Sequence, residues 1–143
     1  MAPCRPADRD LTLRNLTQVE GMSLDALRTG VKWDFETFPE FMDMLERQGV
    51  VPNCAVYCGH SSVRTFVLGA GAADRQATEA EVAEMTSIVE EAMAAGAIGL
   101  SSTTNPQHNG EHGVPMPSRL AAPEYGASGA RPHNMDYNPT RWP

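Results

Sequence analysis

Two capping boxes set the organisation of this chain more firmly than any other feature. Thr37-Phe-Pro-Glu40 and Thr78-Glu-Ala-Glu81 each place a glutamate three residues after a threonine, so that each side chain can bond the other residue's backbone N–H. An apolar stripe with helical spacing follows each box, and Gly49 and Gly96 are suited to end the helices in a left-handed conformation. We therefore predict two amphipathic helices, each running from its threonine to the next glycine.

Short apolar segments follow both helices. Residues 50–58 (VVPNCAVYC) are interpreted as a loop and a buried strand with Cys54 in the core, and residues 97–102 (AIGLSS) as a second strand. The GHSS segment between them is predicted to be a loop. Upstream, residues 8–22 are predicted to be helical, with a short helix possible from residue 23 to 28. Helix and strand in this order are typical of a parallel α/β sheet or barrel.

Length and charge narrow the class of protein. A chain of 143 residues forms one domain or part of a larger one. A net charge of −7 with scattered arginines argues against binding to nucleic acid. No segment approaches the apolar length of a membrane span, and no apolar run resembles a signal peptide. Cys54 and Cys58 are too far apart in one strand to form a disulfide, so a cytoplasmic location is the simplest expectation.

The HNGEH segment matches the H-x-x-E-H pattern of inverted zinc proteases. That pattern holds a metal only on a helix, where residues four apart share a face. Gly110 and the neighbouring Pro106 and Pro115 disfavour a helix. We therefore predict a non-helical, solvent-exposed loop over residues 103–118 and not a zinc site.

Polar residues stand directly after both predicted strands. His60 follows the first strand, and Ser101 and Ser102 end the second. Parallel α/β proteins place their active sites at the carboxyl ends of strands, so the two polar ends are expected to open on the same side of the sheet. A functional role and a simple capping role for His60 both remain open at this point.

Several segments, taken together and in order, resemble the amidohydrolase superfamily, specifically its N-acyl-D-amino-acid deacylases (D-aminoacylase-like enzymes). They are MAPCRPADR (1–9), GVKWDFETFPEFMDMLER (30–47), GHSSVR (59–64), EEAMAAGA (90–97), GLSS (99–102), and NPQH (105–108) with GVPMPSRL (113–120). The resemblance covers about residues 1–123. Residues 124–143 depart from the family pattern and are expected to be a disordered tail.

The resemblance implies a partial (β/α)₈ TIM barrel of the metal-dependent hydrolase type. It also implies a divalent metal, zinc, held by an H-x-H pair, a cysteine in a G-N-C-G motif and later histidines. None of these ligands matches a position in this chain, since the G-N-C-G motif would lie just before residue 1 and Cys4 belongs to the stretch after it. We therefore expect no metal on this chain and assign no metal ligand or complete catalytic set.

Two functions follow from the resemblance. The first is a fragment of a hydrolase that cleaves the C–N amide bond of a small N-acyl-D-amino acid or related compound, the isolated chain being inactive. The second is a non-catalytic truncated barrel segment or interaction module. The candidates for the substrate side are His60, Arg64, Ser101, His108 and Arg119.

Overall fold

The computed structural model describes residues 1–121 and 133–134, which are mainly helical around a small parallel sheet. The elements are α1 (Arg9–Val19), α2 (Leu24–Gly30), α3 (Phe38–Gln48), β1 (Cys58–Gly59), α4 (His60–Leu68), α5 (Glu79–Ala94), β2 (Leu100–Ser102) and β3 (His133–Asn134). Short 3₁₀ helices occupy Pro6–Asp8, Gly69–Ala73, Glu111–Gly113 and Pro117–Leu120. No helix among these residues is long and apolar enough to cross a bilayer.

Both predicted capping boxes are confirmed. Thr37 accepts a hydrogen bond from the backbone N–H of Glu40 at 3.3 Å, and the Glu40 carboxylate accepts one from the Thr37 N–H at 2.9 Å. The same reciprocal pair joins Thr78 and Glu81. These local bonds satisfy helix N–H groups that have no partner within the helix, and so they fix where α3 and α5 begin.

The predicted helices of the first thirty residues are also confirmed, as α1 and α2. α2 begins after Ser23, whose side chain accepts from the Ala26 N–H at 3.2 Å. In the chain, α2 is followed by an aromatic segment with Trp33 and Phe35, which leads into α3.

The core lies where α4 and α5 pack on the sheet and α3 packs against α5. Phe35 packs edge-on against Phe41 at 5.0 Å between ring centroids, and Trp33 lies 5.5 Å from Phe35. The buried apolar cluster contains Ala2, Cys4, Phe35, Phe38, Met44, Cys58, Val63, Met85, Val89, Ala92, Ala97 and Leu100. This packing anchors β1 and β2 from one side and leaves their carboxyl ends open to the loops that follow.

The predicted parallel pairing is confirmed. Cys58 lies opposite Leu100 and Gly59 opposite Ser101, while β2 pairs in parallel with β3 on its other edge. The Ile98 N–H also donates to the Val56 carbonyl at 2.9 Å, just before the two strands. The described residues do not close this sheet into a barrel.

The prediction of a loop and a buried strand within residues 50–58 is wrong in the extent of the strand. Only Cys58 and Gly59 form regular strand structure, and Cys54 is exposed instead of lying in the core. Residues 50–55 are also exposed. An apolar run alone does not distinguish a buried strand from an exposed extended segment, and Pro52 interrupts this one.

Two further predictions are corrected. The expected GHSS loop is the start of α4, because the chain turns into a helix directly at His60. Part of the expected disordered tail, His133–Asn134, forms β3, since a non-local strand pairing leaves no signal in composition. The other residues of 124–143 lie outside the described part of the chain.

Candidate functional site

The parallel register brings the polar carboxyl ends of β1 and β2 together. His60 follows β1 as the first residue of α4, and it is only 5% exposed. Its Nδ1 lies 3.0 Å from the Oγ of Ser102, the last residue of β2, and either atom can be the donor. The prediction that the two polar strand ends lie on the same side of the sheet is confirmed.

Burial determines the protonation state of His60. Removal from water lowers the pKa of the imidazole to about 4, and the positive charge of Arg64 contributes in the same direction. The ring is therefore neutral at pH 7. A neutral imidazole carries one N–H donor and one acceptor nitrogen, so it can orient a neighbouring hydroxyl without adding charge to the site.

A cavity of about 200 Å³ opens at these strand ends. The surface that faces it is predominantly apolar, although side chains with hydroxyl and imidazole groups are among the lining residues. Its lining is Leu16, Val19, Gly59, His60, Ser61, Ser62, Ser101, Ser102, Thr103, His108, Met116 and Ser118. Of the five predicted candidates, His60, Ser101 and His108 line this cavity.

The other two candidates lie elsewhere. Arg64 is fully buried, and its guanidinium donates to the carbonyls of Ala72 at 3.1 Å and Arg75 at 2.8 Å. Arg119 donates to the side chain of Asn109 and is not among the lining residues. The structure thus gives Arg64 contacts that join α4 to the segment before α5.

Sequence reasoning missed a chain of hydroxyls that closes one side of the cavity. Ser61 Oγ donates to Ser118 Oγ at 3.0 Å, and Ser118 Oγ donates to the Thr103 carbonyl at 3.1 Å. The Ser118 N–H returns a bond to Ser61 Oγ at 3.2 Å. Ser118 is buried at only 1% exposure, although its proline-rich surroundings in the sequence suggested an exposed loop.

The HNGEH segment forms a tight hairpin. Asn109 and Pro115 form an antiparallel bridge, and the tip, Glu111–Gly113, is a 3₁₀ turn with His112 at φ +58°. Glu111 forms an ion pair with Arg14 of α1. The prediction of a non-helical segment is confirmed in part, since no α-helix forms but 3₁₀ turns occupy Glu111–Gly113 and Pro117–Leu120. The glutamate of the pattern contacts an arginine.

The predicted full exposure of this loop is wrong. Gly110 is buried against α1, where a Cβ added to it would lie 3.0 Å from Asn15 Oδ1 and 3.1 Å from Asn15 Cα. Together with the Glu111–Arg14 pair, this close approach seats the hairpin on α1. The base of the hairpin then places His108 and Met116 in the cavity wall.

Gly110→Ala is expected to lift the hairpin from α1. The added methyl meets a helix backbone atom that has little room to move, so we expect a loss of about 1–3 kcal/mol in unfolding free energy. Gly30→Ala is the matched control, because a Cβ there meets nothing within 4 Å and the backbone has no positive φ. Urea unfolding of both variants checks the prediction, and equal stability of the two would contradict it.

The described side chains do not fit a zinc ion. A group of three or more His, Cys, Asp or Glu side chains close enough to share a metal is absent from residues 1–121 and 133–134. His60 has Ser102 at its Nδ1, and His112 is exposed at the hairpin tip.

The geometry shows a mainly helical chain around a small parallel sheet, with a cavity at the carboxyl ends of β1 and β2. No family model and no solved structure matches the chain. Over 79 residues it is 40% identical to the D-aminoacylase of Alcaligenes xylosoxydans xylosoxydans, a match that covers 55% of this chain and 16% of that protein. The match supports a distant relationship to D-aminoacylase.

Uncharacterized mycobacterial proteins also match the sequence of this chain over a similar length. One from Mycobacterium tuberculosis (strain ATCC 25618 / H37Rv) and one from Mycobacterium bovis are each 37% identical over 81 residues. These matches cover 54% of this chain and 13% of each protein. The chain thus spans 13–16% of the length of the curated relatives it matches.

Proposed function

We propose that this chain is a segment of a metal-dependent amidohydrolase that cleaves the C–N amide bond of N-acyl-D-amino acids. The observation that carries the proposal is the 40% identity to D-aminoacylase over 79 residues. The cavity at the strand ends supports it, because barrel hydrolases bind their substrates at that end of the sheet.

In this proposal the unit from β1 through α4 and α5 to β2 is one part of a (β/α)₈ barrel. Among the described residues, β1 has a partner on one edge only. An open edge presents unpaired N–H and C=O groups, and a further barrel strand would satisfy them. The divalent metal, zinc by the family resemblance, would be held by residues outside this chain.

The chain's own residues would shape the substrate side of the site. His60 stays neutral and holds Ser102, and the linked hydroxyls of Ser61 and Ser118 fix the loop that closes the cavity. Leu16 and Met116 supply apolar contact. These residues would bind and orient the substrate, and they would add no charge near its amide.

The test is a chimera in which the 79 matched residues of this chain replace their counterparts in D-aminoacylase. The chimera is expected to fold and to release the amino acid from N-acetyl-D-amino acids. A chimera carrying the matched segment of the Mycobacterium tuberculosis protein is the control for tolerance of such a swap. A working control together with an inactive or unfolded test chimera would refute the proposal.

The isolated chain of 143 residues, incubated with zinc, is expected to show no hydrolysis of the same substrates. The reason is that its described side chains form no metal-binding group. Turnover by the purified chain would show that it contains a complete site. An inactive chain together with an inactive test chimera would favour the second function, a non-catalytic segment or interaction module.

A further inference from the structure

The hairpin formed by residues 108–116 is held together by bonds of its own. The Gly110 N–H donates to the Val114 carbonyl at 2.7 Å, and the Met116 N–H donates to the His108 carbonyl at 3.3 Å. Both bonds join the two sides of the hairpin and involve no residue outside it. They would therefore persist if the hairpin moved as one body.

The base and the tip of the hairpin are held in different ways. Just after the base, Ser118 is buried, and its Oγ donates to the Thr103 carbonyl at 3.1 Å. At the tip, Glu111 pairs with Arg14 of α1, and these two side chains remain 26% and 39% exposed. Exposed ion pairs are weak and are screened by salt. The base is thus anchored in the protein, whereas the tip is held by a weak ion pair and by the contact of Gly110 with α1.

Arg14 also belongs to a row of charges that crosses α1 and α2. Its Nε donates to Asp10 at 2.7 Å, and Asp10 accepts from the Nε of Arg28 at 3.0 Å. If Glu111 moves away, Arg14 therefore still has a counter-charge beside it on α1. This second partner lowers the cost of breaking the contact at the hairpin tip.

The cavity at the strand ends lies between the hairpin and α1. Leu16 and Val19 line it from α1, and His108 and Met116 line it from the hairpin. It measures about 200 Å³, and the surface that faces it is predominantly apolar. An apolar molecule in this space would contact both elements, so it would bind the seated position of the hairpin more tightly than a lifted one.

We propose that residues 108–116 are a lid on this cavity, which pivots on its anchored base and closes on α1 through the Arg14–Glu111 pair. A small, uncharged, apolar group in the cavity holds the lid closed, and loss of the ion pair favours the open position. The lid goes beyond the proposed hydrolase function and does not depend on it, because its parts are all contacts within this chain. The activity of the chimera therefore does not bear on it.

The test follows the methyl group of Met116 by NMR in the 143-residue chain with isotope-labelled methionine, and Met116→Leu identifies its signal. Relaxation dispersion of this methyl is expected to give the ratio of open to closed lid. Raising the salt concentration from about 0.01 M to about 1 M shortens the Debye length from about 30 Å to about 3 Å. The open-to-closed ratio should then rise by up to about fivefold, the upper range for an exposed ion pair.

Charge variants assign this effect to the lid contact. Glu111→Gln is expected to raise the ratio at low salt as much as salt does in the unaltered chain, and to remove the salt dependence. Adding Arg14→Gln to it should raise the ratio no further, because the two residues act through one interaction.

Glu84→Gln is the matched control. It breaks the exposed pair between Arg5 and Glu84, which lies away from the hairpin, and should leave the ratio unchanged. The proposal is overturned if Glu111→Gln and Glu84→Gln give the same ratio and the same salt dependence. It is also overturned if the Met116 methyl shows no second position in any of these proteins.

Benzene is the probe for the apolar group, because apolar cavities of similar size bind it. It is expected to shift the Met116 methyl signal in a saturable way. At about ten times its Kd, benzene should lower the open-to-closed ratio about tenfold, since it binds the closed lid. Benzoate should bind at least tenfold more weakly, because the cavity lining contains no Lys or Arg to offset its charge. Failure of benzene to bind, or binding that leaves the ratio unchanged, would refute the lid.

Discussion

Arg64→Ala is expected to lower the free energy of unfolding by about 3–5 kcal/mol, the range for deleting a large, fully buried side chain. Arg64 is the largest of the fully buried side chains. Its removal leaves a void and takes away the donors to the Ala72 and Arg75 carbonyls. A buried carbonyl without a partner costs about 1–3 kcal/mol by itself.

Two further variants separate these causes. Arg64→Met fills much of the same volume but donates nothing, so its loss of stability measures the polar interactions of the guanidinium as a whole, including those with the Ala72 and Arg75 carbonyls. Arg64→Lys keeps the charge but replaces a planar fork with a single ammonium, and it is expected to recover only part of the stability. Urea unfolding followed by circular dichroism gives all three values. Arg47→Ala, at an exposed position of α3, should change stability by no more than about 0.5 kcal/mol.

An Arg64→Ala protein as stable as the Arg47→Ala control would show that the carbonyl contacts contribute little.

Acidification from pH 6.5 to pH 5 is expected to destabilise the protein through His60. The unfolded imidazole takes up a proton near its ordinary pKa of 6.5, whereas burial holds the native pKa at about 4. The unfolded state therefore binds more protons in this window, and stability falls as the pH falls. The difference between these two pKa values corresponds to a loss of on the order of 3 kcal/mol in the free energy of unfolding, and this loss is reached near pH 4.

The range from pH 5 to pH 6.5 also separates the contribution of His60 to stability from the contributions of the carboxylates. Hydrogen bonds from Arg75 and from Thr78 lower the pKa of Glu81 to about 2, and hydrogen bonds from Thr37 and Glu36 lower that of Glu40. Their contributions are present above their ordinary pKa of 4.5 and are lost only below it. The slope of stability between pH 5 and pH 6.5 is therefore assigned to the two groups whose pKa is lowered by burial, the His60 imidazole and the amino group of Met1.

His60→Gln is expected to flatten that slope, measured as urea unfolding free energy at successive pH values. His112→Asn is the control, because His112 is exposed and asparagine tolerates its positive φ. If the slope survives in His60→Gln and disappears in His112→Asn, the assignment to the buried imidazole is wrong.

Local hydrogen bonds made much of this fold predictable. The capping boxes at Thr37 and Thr78 lie within four residues of sequence, and they located α3 and α5 correctly. The parallel pairing followed from the order of elements. It brought His60 and Ser102 together as expected, because parallel strands end at the same edge.

Contacts across long stretches of sequence were not predictable in this way. α4 was missed because Gly59 and two serines favour a turn, and its β-branched Val63, Thr65 and Val67 are weak helix formers. Packing of Val63 into the core outweighs those preferences. The seating of Gly110 on Asn15 joins residues 95 positions apart in the sequence, which no local pattern records.

Adjacent residues in the first turns of α4 have different surroundings. His60, Ser61 and Ser62 face the cavity, while Val63, Arg64 and Thr65 are buried in the body of the protein. Residues on the cavity side of α4 can then change by substitution, while the buried residues that maintain stability stay the same. In directed evolution of specificity, we therefore expect the accepted mutations to lie on the cavity side of α4 and not at Val63, Arg64 or Thr65.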